Sequence, residues 1–470
     1  MVRNINKTNI PMRFISSAQS RPARIITLSF LAVILIGSTL LMMPAATRSG
    51  ESAGILTAVF TATSATCVTG LVLIDTATFW SYFGQIVILC LIQIGGLGLV
   101  TITTFFFTLL RRKLGIISMT VAQESSASFT MHDVNRLIIK IVSFTFIFET
   151  FGAIVFAFRF VPVFGMKSGI YHSVFHAVSS FCNAGFDLFG NYSGPYSSLT
   201  SWNGDPVVIL MTAVLIISGG LGFIVWADIL NLNKEKGINF HTKLVLRMTT
   251  ILILTGTLMF LLFEYSNTAP GSMGDLPAVQ RIQSAFFQSV TTRTAGFNSI
   301  DQAAMNESSK IVSSILMFIG ASSGSTGGGI KLTTFSVIIF HILSEIRGCE
   351  ETMVLRKRVS KSTVSKALII ISVSMLLISA DTLLMTIFEA DKLANSGLTT
   401  LDLVFESVSA FATVGLSSAS TSNLHPASHI LIIFTMFIGR VGPAAFAIAI
   451  TGRSLKDKGK VFPEAKIIVG

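Results

Sequence analysis

The stretch Thr66-Cys67-Val68-Thr69-Gly70 belongs to one of four related segments in a chain of 470 residues. Each segment begins with a phenylalanine and ends, after nine further residues, at a glycine. The phenylalanine–glycine pairs are Phe60 and Gly70, Phe175 and Gly185, Phe286 and Gly296, and Phe405 and Gly415. The glycines lie 115, 111 and 119 residues apart. This internal period predicts four copies of one structural unit, each built around a loop that ends in glycine.

The composition indicates that these units lie in a membrane. The chain is 51% hydrophobic and only 12% charged, whereas soluble domains carry about 25% charged residues. Its apolar runs, such as residues 25–43 and 86–110, are continuous and have the length of membrane-spanning helices. A membrane barrel would instead show alternating segments of about ten residues. We therefore predict an all-α integral membrane protein, since a helix satisfies its own backbone in lipid.

The positive charge is distributed in a way that favours membrane topology over nucleic-acid binding. The net charge is +11, and 25 of the 34 lysines and arginines fall in five clusters. The clusters are residues 3–24, 111–140, 234–247, 347–366 and 453–466. Each lies between two units or at a terminus, as the positive-inside rule requires of cytoplasmic segments. We predict a multi-pass protein of the inner or plasma membrane with both termini cytoplasmic, in contact with anionic lipid and without a nucleic-acid partner.

The predicted architecture has eight membrane-spanning helices, arranged as four helix–loop–helix repeats with pseudo-fourfold symmetry around one axis. The predicted segments are a cytoplasmic segment 1–24, repeats 25–113, 114–233, 234–346 and 347–452, and a cytoplasmic tail 453–470. The predicted spans are 25–43, 80–110, 137–160, 206–230, 244–263, 310–345, 364–388 and 428–451. Short helical pieces are predicted at 55–66, 171–181, 278–292 and 400–411. A second glycine cluster follows each loop, at 95–98, 219–222, from 320 onward and at 439–442, as expected where helices pack closely.

The four loops have the composition of a site for a dehydrated cation. A cation that crosses a membrane exchanges its water for oxygen ligands, and rings of backbone carbonyls can supply them. Glycine adopts at low cost the dihedral angles that aim carbonyls at an axis. The aligned positions are Gly70, Gly185, Gly296 and Gly415, then Thr69, Ala184, Ala295 and Val414, then Val68, Asn183, Thr294 and Thr413. Thr66 and Thr292 align one level lower. The short helices would point their partly negative carboxyl ends at the same axis.

The predicted sixth span contains a segment, residues 320–329, that cannot be a regular helix. Five of its ten residues are glycine, and each costs a helix about 1 kcal/mol relative to alanine. Irregular backbone at membrane depth is tolerated only where it is buried or lines a cavity. We predict a gating plug below the loops, with a simple hinge away from the path as the alternative. Its residues are Gly324, Ser325, Thr326, Gly327, Gly328 and Gly329.

Several charged residues lie within or beside the apolar runs. Arg440, inside the last span, is a functional candidate because charge is costly there, and we expect it to hold the plug by hydrogen bonds and to repel cations. Arg293 is expected to pair with Glu406 behind the loops, and Lys331 to extend toward the cytoplasm. Glu149 and Asp381 are either sodium contacts or packing contacts, and we favour packing contacts. Three acids beyond the loops are expected to concentrate cations, with ordinary surface solvation as the alternative: Asp75, Asp187 and Asp301.

With these residues in view, the chain resembles a known family. Thr66-Cys67-Val68-Thr69-Gly70 resembles a degenerate potassium-channel filter, and four unequal repeats in one chain resemble the Trk/Ktr/HKT superfamily of potassium transporters, most closely its KtrB-type membrane subunit. The resemblance implies potassium uptake through a single-chain filter, in many members as sodium-dependent symport. It also implies homodimers on a cytosolic nucleotide-binding ring of KtrA type, with K⁺ and in some members Na⁺ as transported ions. By family analogy, glycine rather than serine at Gly70 favours potassium.

Two other classes of function compete with this interpretation. A secondary transporter of another small solute would be built from inverted repeats, yet each unit here has two predicted spans and basic ends on one side. A membrane-embedded enzyme would need catalytic groups in the spans, and the sequence shows no such cluster of histidine, cysteine and acidic residues. We therefore expect neither an enzyme nor a bound cofactor.

Overall fold

The computed structural model describes residues 21–98, 101, 134–230, 237–349, 351–355, 357–443 and 446. This part of the chain is mostly helical. In contrast to the all-α prediction, the described residues include one short hairpin with two residues in each strand, where β1 (Met353–Val354) pairs antiparallel with β2 (Lys357–Arg358). Most of the predicted segment 1–24, and all of the tail 453–470, lie outside the described residues.

The helices recur in the order that the repeats predict. The first unit contains α1 (Arg21–Leu41), α2 (Ile55–Cys67), α3 (Thr76–Phe79) and α4 (Tyr82–Leu97). The second contains α5 (Val134–Phe164), α6 (Met166–Phe181), α7 (Gly190–Ser193), α8 (Pro206–Leu221) and α9 (Phe223–Leu230). The third contains α10 (Phe240–Glu264), α11 (Ala278–Thr291), α12 (Glu307–Phe318) and α13 (Leu332–Ile346), and the fourth α14 (Lys361–Phe388), α15 (Ala390–Asn395), α16 (Thr400–Ala412) and α17 (Pro426–Val441). Short 3₁₀ turns lie at Pro44–Ala46, Thr200–Trp202, Met273–Asp275 and Thr421–Asn423.

The first helix of each unit is apolar and faces outward. Among the described residues, α1, α5, α10 and α14 are long and apolar enough to cross a membrane, and α8 with α9 forms a fifth candidate if this bent pair is one span. Shorter apolar helices include α2, α4, α13 and α17. Leu28, Leu254 and Leu376 are each more than 60% exposed, which suits a lipid-facing surface. The count of eight spans stays a prediction.

The interior is formed by four short helices, α2, α6, α11 and α16, which we call the central helices. Their buried faces are rich in serine and threonine; in α2, for example, Thr61, Thr63, Ser64 and Thr66 are all at most 3% exposed. Each central helix leads into one glycine-ended loop. We call these the central loops and define them as residues 68–70, 183–185, 294–296 and 413–415. Polar atoms are therefore gathered at the centre, and apolar side chains cover the outside.

Contacts between the units close a ring. In the first three units, a helix that follows the central loop packs against the central helix of the next unit: α4 on α6, α8 on α11, and α12 on α16. The ring is completed by α17 of the fourth unit, which packs on α2 of the first. The four units therefore follow one another around the axis in sequence order.

The second glycine clusters allow this close packing. A side chain on Gly95 would overlap the carbonyl oxygen of Thr66, and one on Gly219 would overlap that of Phe181. Gly439 makes the same approach to the carbonyl of Phe411. In three units, a helix that follows the central loop (α4, α8 or α17) therefore touches the carboxyl end of its own unit's central helix through a glycine.

The same clusters also end the helices, and this corrects three predicted spans. Helix α4 ends before Gly98, α8 before Gly222 and α17 before Gly442, where φ is 80°, 92° and 92°. A left-handed glycine cannot continue a right-handed helix. The predicted continuous helix 206–230 is therefore wrong, because α8 and α9 are bent by 92°. The predicted helices 80–110 and 428–451 are likewise interrupted, at Gly98 and Gly442, and most of the residues beyond these glycines are not described.

Candidate functional site

The four central loops share an unusual backbone. Two residues before each glycine, Val68, Asn183, Thr294 and Thr413 have φ between 50° and 70°. The glycines themselves have φ of 93°, 70°, 79° and 98°. A residue other than glycine is uncommon in this left-handed region and persists only where its surroundings hold it there. The four central loops therefore share one backbone conformation although their side chains differ.

Hydrogen bonds orient the first carbonyl of each loop. The amides of Thr69, Ala184, Ala295 and Val414 donate to carbonyl oxygens in the last turn of their own central helix, at 2.8, 2.8, 3.0 and 2.9 Å. A trans peptide is planar, so its carbonyl points opposite to its N–H group. The carbonyls of the preceding residues therefore point away from the helix that holds each loop. These residues are Val68, Asn183, Thr294 and Thr413.

The next level of carbonyls forms a ring with the glycines. A side chain on Gly70 would overlap the carbonyl oxygen of Ala184, and one on Gly185 would crowd that of Ala295. The series continues from Gly296 to the carbonyl of Val414, and from Gly415 to that of Thr69. Each glycine thus faces the carbonyl of the next unit, in cyclic order. The geometry brings together all twelve central-loop residues that the sequence predicted.

Some hydroxyl groups near this ring lack protein partners. The hydroxyls of Thr66, Thr69 and Thr413 are buried and have no hydrogen-bond partner within the described structure. Such oxygens are available to a dehydrated cation, because an unpaired buried hydroxyl is otherwise unfavourable. Thr292, which the alignment places at the level of Thr66, differs, since its hydroxyl donates to the Ser289 carbonyl at 3.0 Å.

A polar cavity of about 310 Å³ lies on one side of the ring. All four loop glycines line it, as do the three acids predicted beyond the loops, Asp75, Asp187 and Asp301. Asp75 accepts a hydrogen bond from the Thr78 amide at 2.9 Å, and Asp187 one from the Phe189 amide at 3.0 Å. Burial, together with the nearby Asp75, raises the pKa of Asp187 to about 7. The cavity can therefore attract cations, and its charge varies near neutral pH.

The broken segment, residues 320–329, lies on the other side of the ring. A side chain on Gly327 would overlap the Thr294 hydroxyl, and one on Gly328 would overlap that of Thr413. The segment is also held from the second unit, since the Ser322 amide donates to the Gly220 carbonyl at 3.0 Å. The predicted plug therefore contacts the central loops directly, and the alternative of a hinge away from them is wrong.

Two cations bind the carbonyls of this segment. Arg440 donates from Nη1 to the carbonyl of Thr326 and from Nη2 to the carbonyl of Gly95. It therefore joins the broken segment to the last helices of the first and fourth units. Lys331 donates from Nζ to the carbonyl of Gly327 at 2.6 Å. Its ammonium group thus binds the carbonyl four residues earlier, and the expectation that Lys331 extends toward the cytoplasm stays a prediction.

The predicted ion pair behind the loops is not formed. Arg293 has no ion-pair partner among the described residues, and its Nε atom has no hydrogen-bond partner there. Glu406 instead accepts a hydrogen bond from the Thr421 hydroxyl. Arg293 and Glu406 belong to different units, and the carboxylate of Glu406 is hydrogen-bonded to the hydroxyl of Thr421 in its own unit. A buried ion pair does occur elsewhere, between Lys310 of α12 and Asp402 of the central helix α16, at 2.8 Å.

The two remaining acids make polar contacts in the helix packing. Glu149 accepts a hydrogen bond from Gln93 Nε2 at 3.4 Å and a weak one from the Cys182 thiol at 3.8 Å. Asp381 accepts a hydrogen bond from the Thr435 hydroxyl at 2.9 Å. Both contacts join helices, as expected for packing residues.

One group of residues at this site was not predicted from the sequence. A hydroxyl-bearing residue in the last turn of every central helix bonds the following loop with its side chain: Ser64, Ser179, Thr291 and Ser409. Three of them lie six residues before their glycine. That repeated serine was the signal available in the sequence.

This ring of inward-turned carbonyls, in a helical protein with an apolar exterior, defines a membrane protein for the passage of cations. The family model described as "TrkH: Cation transport protein" matches residues 8–458, and the chain belongs to this family of multi-pass membrane cation transporters rather than to a family of enzymes.

Individual relatives cover nearly the whole chain. It is 38% identical to the Ktr system potassium uptake protein B of Bacillus subtilis, across 96% of this chain and 97% of that protein. It is 37% identical to the potassium/sodium uptake protein NtpJ of Enterococcus hirae, with the same coverage. The crystal structure of the potassium transporter TrkH from Vibrio parahaemolyticus matches with a TM-score of 0.68 at 17% identity, covering 95% of this chain and 86% of that one. At that identity the likeness shows a shared fold alone.

Proposed function

We propose that the chain is the ion-translocating membrane subunit of a potassium uptake system. The path for the ion runs along the axis between the four units. The observation that carries this proposal is the cyclic contact between each loop glycine and the carbonyl of the next unit. A ring of backbone carbonyls can replace the water around potassium. The full-length relatives named for potassium uptake support the choice of ion.

Selection occurs at the central loops. The carbonyl ring of Thr69, Ala184, Ala295 and Val414 contacts the glycines, and the carbonyls of the preceding residues form a second level. The free hydroxyl of Thr66 adds a ligand below them. Only glycine is common to all four loops, so the filter has fewer regular rings than a filter made of four identical loops.

Gating occurs at the broken segment. Residues 324–329 lie directly beneath the loops and are held there through Thr326 by Arg440 and through Gly327 by Lys331. Transport requires the segment to move aside, which breaks these contacts. Both cations also lie near the path, where their charge opposes the entry of another cation.

We also propose the topology of the chain in the membrane, its regulatory partner and its coupling ion. Eight spans in repeats 25–113, 114–233, 234–346 and 347–452 would leave both termini in the cytoplasm beneath the plasma membrane. The word "system" in the names of the relatives supports a regulatory partner, which we propose is a cytosolic nucleotide-binding ring beneath a homodimer. Sodium is a candidate coupling ion, supported by the relative named for both ions.

The cyclic order of the units argues against inverted repeats and so against a secondary transporter of another solute.

The proposal is tested by growth and by flux. The chain, with a ring partner, should restore growth of an uptake-deficient host at low potassium, and the purified protein should take up K⁺ into liposomes. Gly70→Ser should lower the preference for K⁺ over Na⁺, because its side chain would press on the Ala184 carbonyl. Gly204→Ser is the matched control, since Gly204 is exposed and a side chain there makes only ordinary contact.

Two results would contradict the proposal. Failure of the wild-type chain and partner to restore growth would remove potassium uptake as the function. An unchanged ion preference in Gly70→Ser, in protein that elutes like the wild type, would remove Gly70 from the filter.

A further inference from the structure

The four hydroxyls in the last turns of the central helices divide into two kinds. Ser64 and Ser409 accept a hydrogen bond from the amide of their loop glycine, Gly70 or Gly415, at 3.1 Å in each case. Ser179 and Thr291 instead donate to the carbonyl of the residue after the glycine. The acceptors are Phe186 at 2.6 Å and Phe297 at 2.8 Å. All four side chains are at most 1% exposed, so water cannot replace these bonds.

In the first and fourth units, this contact fixes two consecutive carbonyls. The Ser64 backbone carbonyl binds the Thr69 amide, and its hydroxyl binds the Gly70 amide. Both N–H groups therefore point toward the central helix. Because trans peptides are planar, the carbonyls of Val68 and Thr69 must both point the other way, toward the axis. Ser409 holds the fourth loop by the same pair of bonds.

In the second and third units, the side chain acts beyond the glycine. Ser179 turns the carbonyl of Phe186 back toward its helix, and Thr291 does the same to the carbonyl of Phe297. Both carbonyls are thereby turned away from the axis, and Phe186 lines the polar cavity. Since the units follow one another in cyclic order, the fourth and first units are neighbours, as are the second and third. The two loops held at their glycine amide are therefore neighbours, and so are the two loops held beyond their glycine.

We propose that Ser64 and Ser409 are positioning residues for cation selection, and that Ser179 and Thr291 position the entrance instead. Without the Ser64 hydroxyl, the Thr69–Gly70 peptide is free to rotate and to withdraw the Thr69 carbonyl from the ring. A ring with a mobile carbonyl discriminates less between K⁺ and the smaller Na⁺. Without the Ser179 hydroxyl, the Phe186 carbonyl is free at the cavity edge while the ring below stays intact. This inference rests on the proposed function of the central loops.

The test compares ion preference among single hydroxyl deletions. The full-length protein is reconstituted in liposomes, and K⁺ uptake is measured alone and against Na⁺. Ser64→Ala and Ser409→Ala should each lower the K⁺-over-Na⁺ ratio about two- to tenfold, the effect of one lost buried hydrogen bond. Ser64→Thr keeps the hydroxyl and should restore the ratio. Ser179→Ala should change the half-saturating K⁺ concentration with the ratio kept.

Ser173→Ala is the matched control. Ser173 is equally buried in a central helix, but its hydroxyl bonds the Gly169 carbonyl of its own helix at 2.7 Å. Its removal should leave both the ratio and the half-saturating concentration unchanged. If Ser64→Ala does not fold, as judged by size-exclusion chromatography, Ser409→Ala gives the same reading from the opposite end of the chain.

The outcomes separate this inference from the proposed function. Wild-type protein that carries no K⁺ would overturn the proposed function itself. Wild-type protein that selects K⁺, with an unchanged ratio in Ser64→Ala and Ser409→Ala, would overturn only the positioning role. A fall in ratio that Ser64→Thr does not reverse, or that Ser173→Ala or Ser179→Ala reproduces, would show general loosening of the centre and would also overturn it.

Discussion

Arg440 ties the broken segment to helices of the first and fourth units. Its two hydrogen bonds reach the Thr326 carbonyl in the segment and the Gly95 carbonyl in the first unit. Replacing Arg440 with glutamine removes a charged donor from the bond to Thr326. Hydrogen bonds to charged groups contribute about 1.5–3 kcal/mol. Since about 1.4 kcal/mol corresponds to a factor of ten in an equilibrium constant, displacement of the segment should become about 10- to 100-fold more favourable.

The assay is K⁺ flux into liposomes at fixed protein density, measured without the regulatory partner. Arg440→Gln should raise flux over the wild type. Arg440→Lys keeps the charge but has one ammonium group for two carbonyls, so it separates hydrogen bonding from repulsion. If bonding dominates, its flux should approach that of Arg440→Gln; if repulsion dominates, its flux should stay near the wild type.

The control for this prediction is another arginine that binds backbone carbonyls. Arg281 donates to the carbonyls of Leu276, Tyr265 and Gly274 in the outer link of the third unit, and none of these acceptors belongs to the broken segment. Arg281→Gln should therefore leave flux unchanged. The reasoning is refuted if Arg440→Gln folds normally and its flux equals or falls below that of the wild type.

Three further predictions concern other parts of the molecule. Asp187, with its pKa near 7, becomes negative as pH rises, so uptake at low K⁺ should be faster at pH 8 than at pH 6. Asp187→Asn should abolish the difference; its persistence would assign it to another group. Lys310→Met leaves the buried Asp402 unpaired and should lower stability by about 3–5 kcal/mol, seen as a lower midpoint of thermal unfolding in detergent. Gly327→Ala crowds Thr294 and should raise flux by destabilising the plugged arrangement; reduced flux would contradict this.

The fourfold repeat could be predicted from the sequence because the backbone of each central loop requires a glycine at the same position. Glycine is needed at Gly70, Gly185, Gly296 and Gly415, where a side chain would meet the neighbouring loop, and one residue type at one spacing is visible without a structure. The membrane class and the family were equally accessible, since continuous apolar runs and basic links follow from the solvent around the chain. The family match and the full-length relatives confirm both.

Other features depend on three-dimensional neighbours and could not be predicted. Charge predicts that Glu406 pairs with Arg293, yet the hydroxyl of Thr421 donates a hydrogen bond to the Glu406 carboxylate. The sharp bend at Gly222 could not be predicted because the sequence on both sides is equally apolar. The structure shows it through the φ of 92° at Gly222. The left-handed backbone at Val68 was also invisible, because no sequence rule favours valine in that conformation.

The closure of the ring by α17 against α2 has a genetic consequence. An assembly of four identical subunits repeats every substitution four times, so that a change at the centre is made in all quarters or in none. Here each quarter is encoded separately, and one nucleotide change alters one wall of the path while three keep their shape. Ion preference can therefore drift by small inherited steps, each tolerated by the remaining quarters, and the unequal loops of this chain have the form that such stepwise divergence would leave.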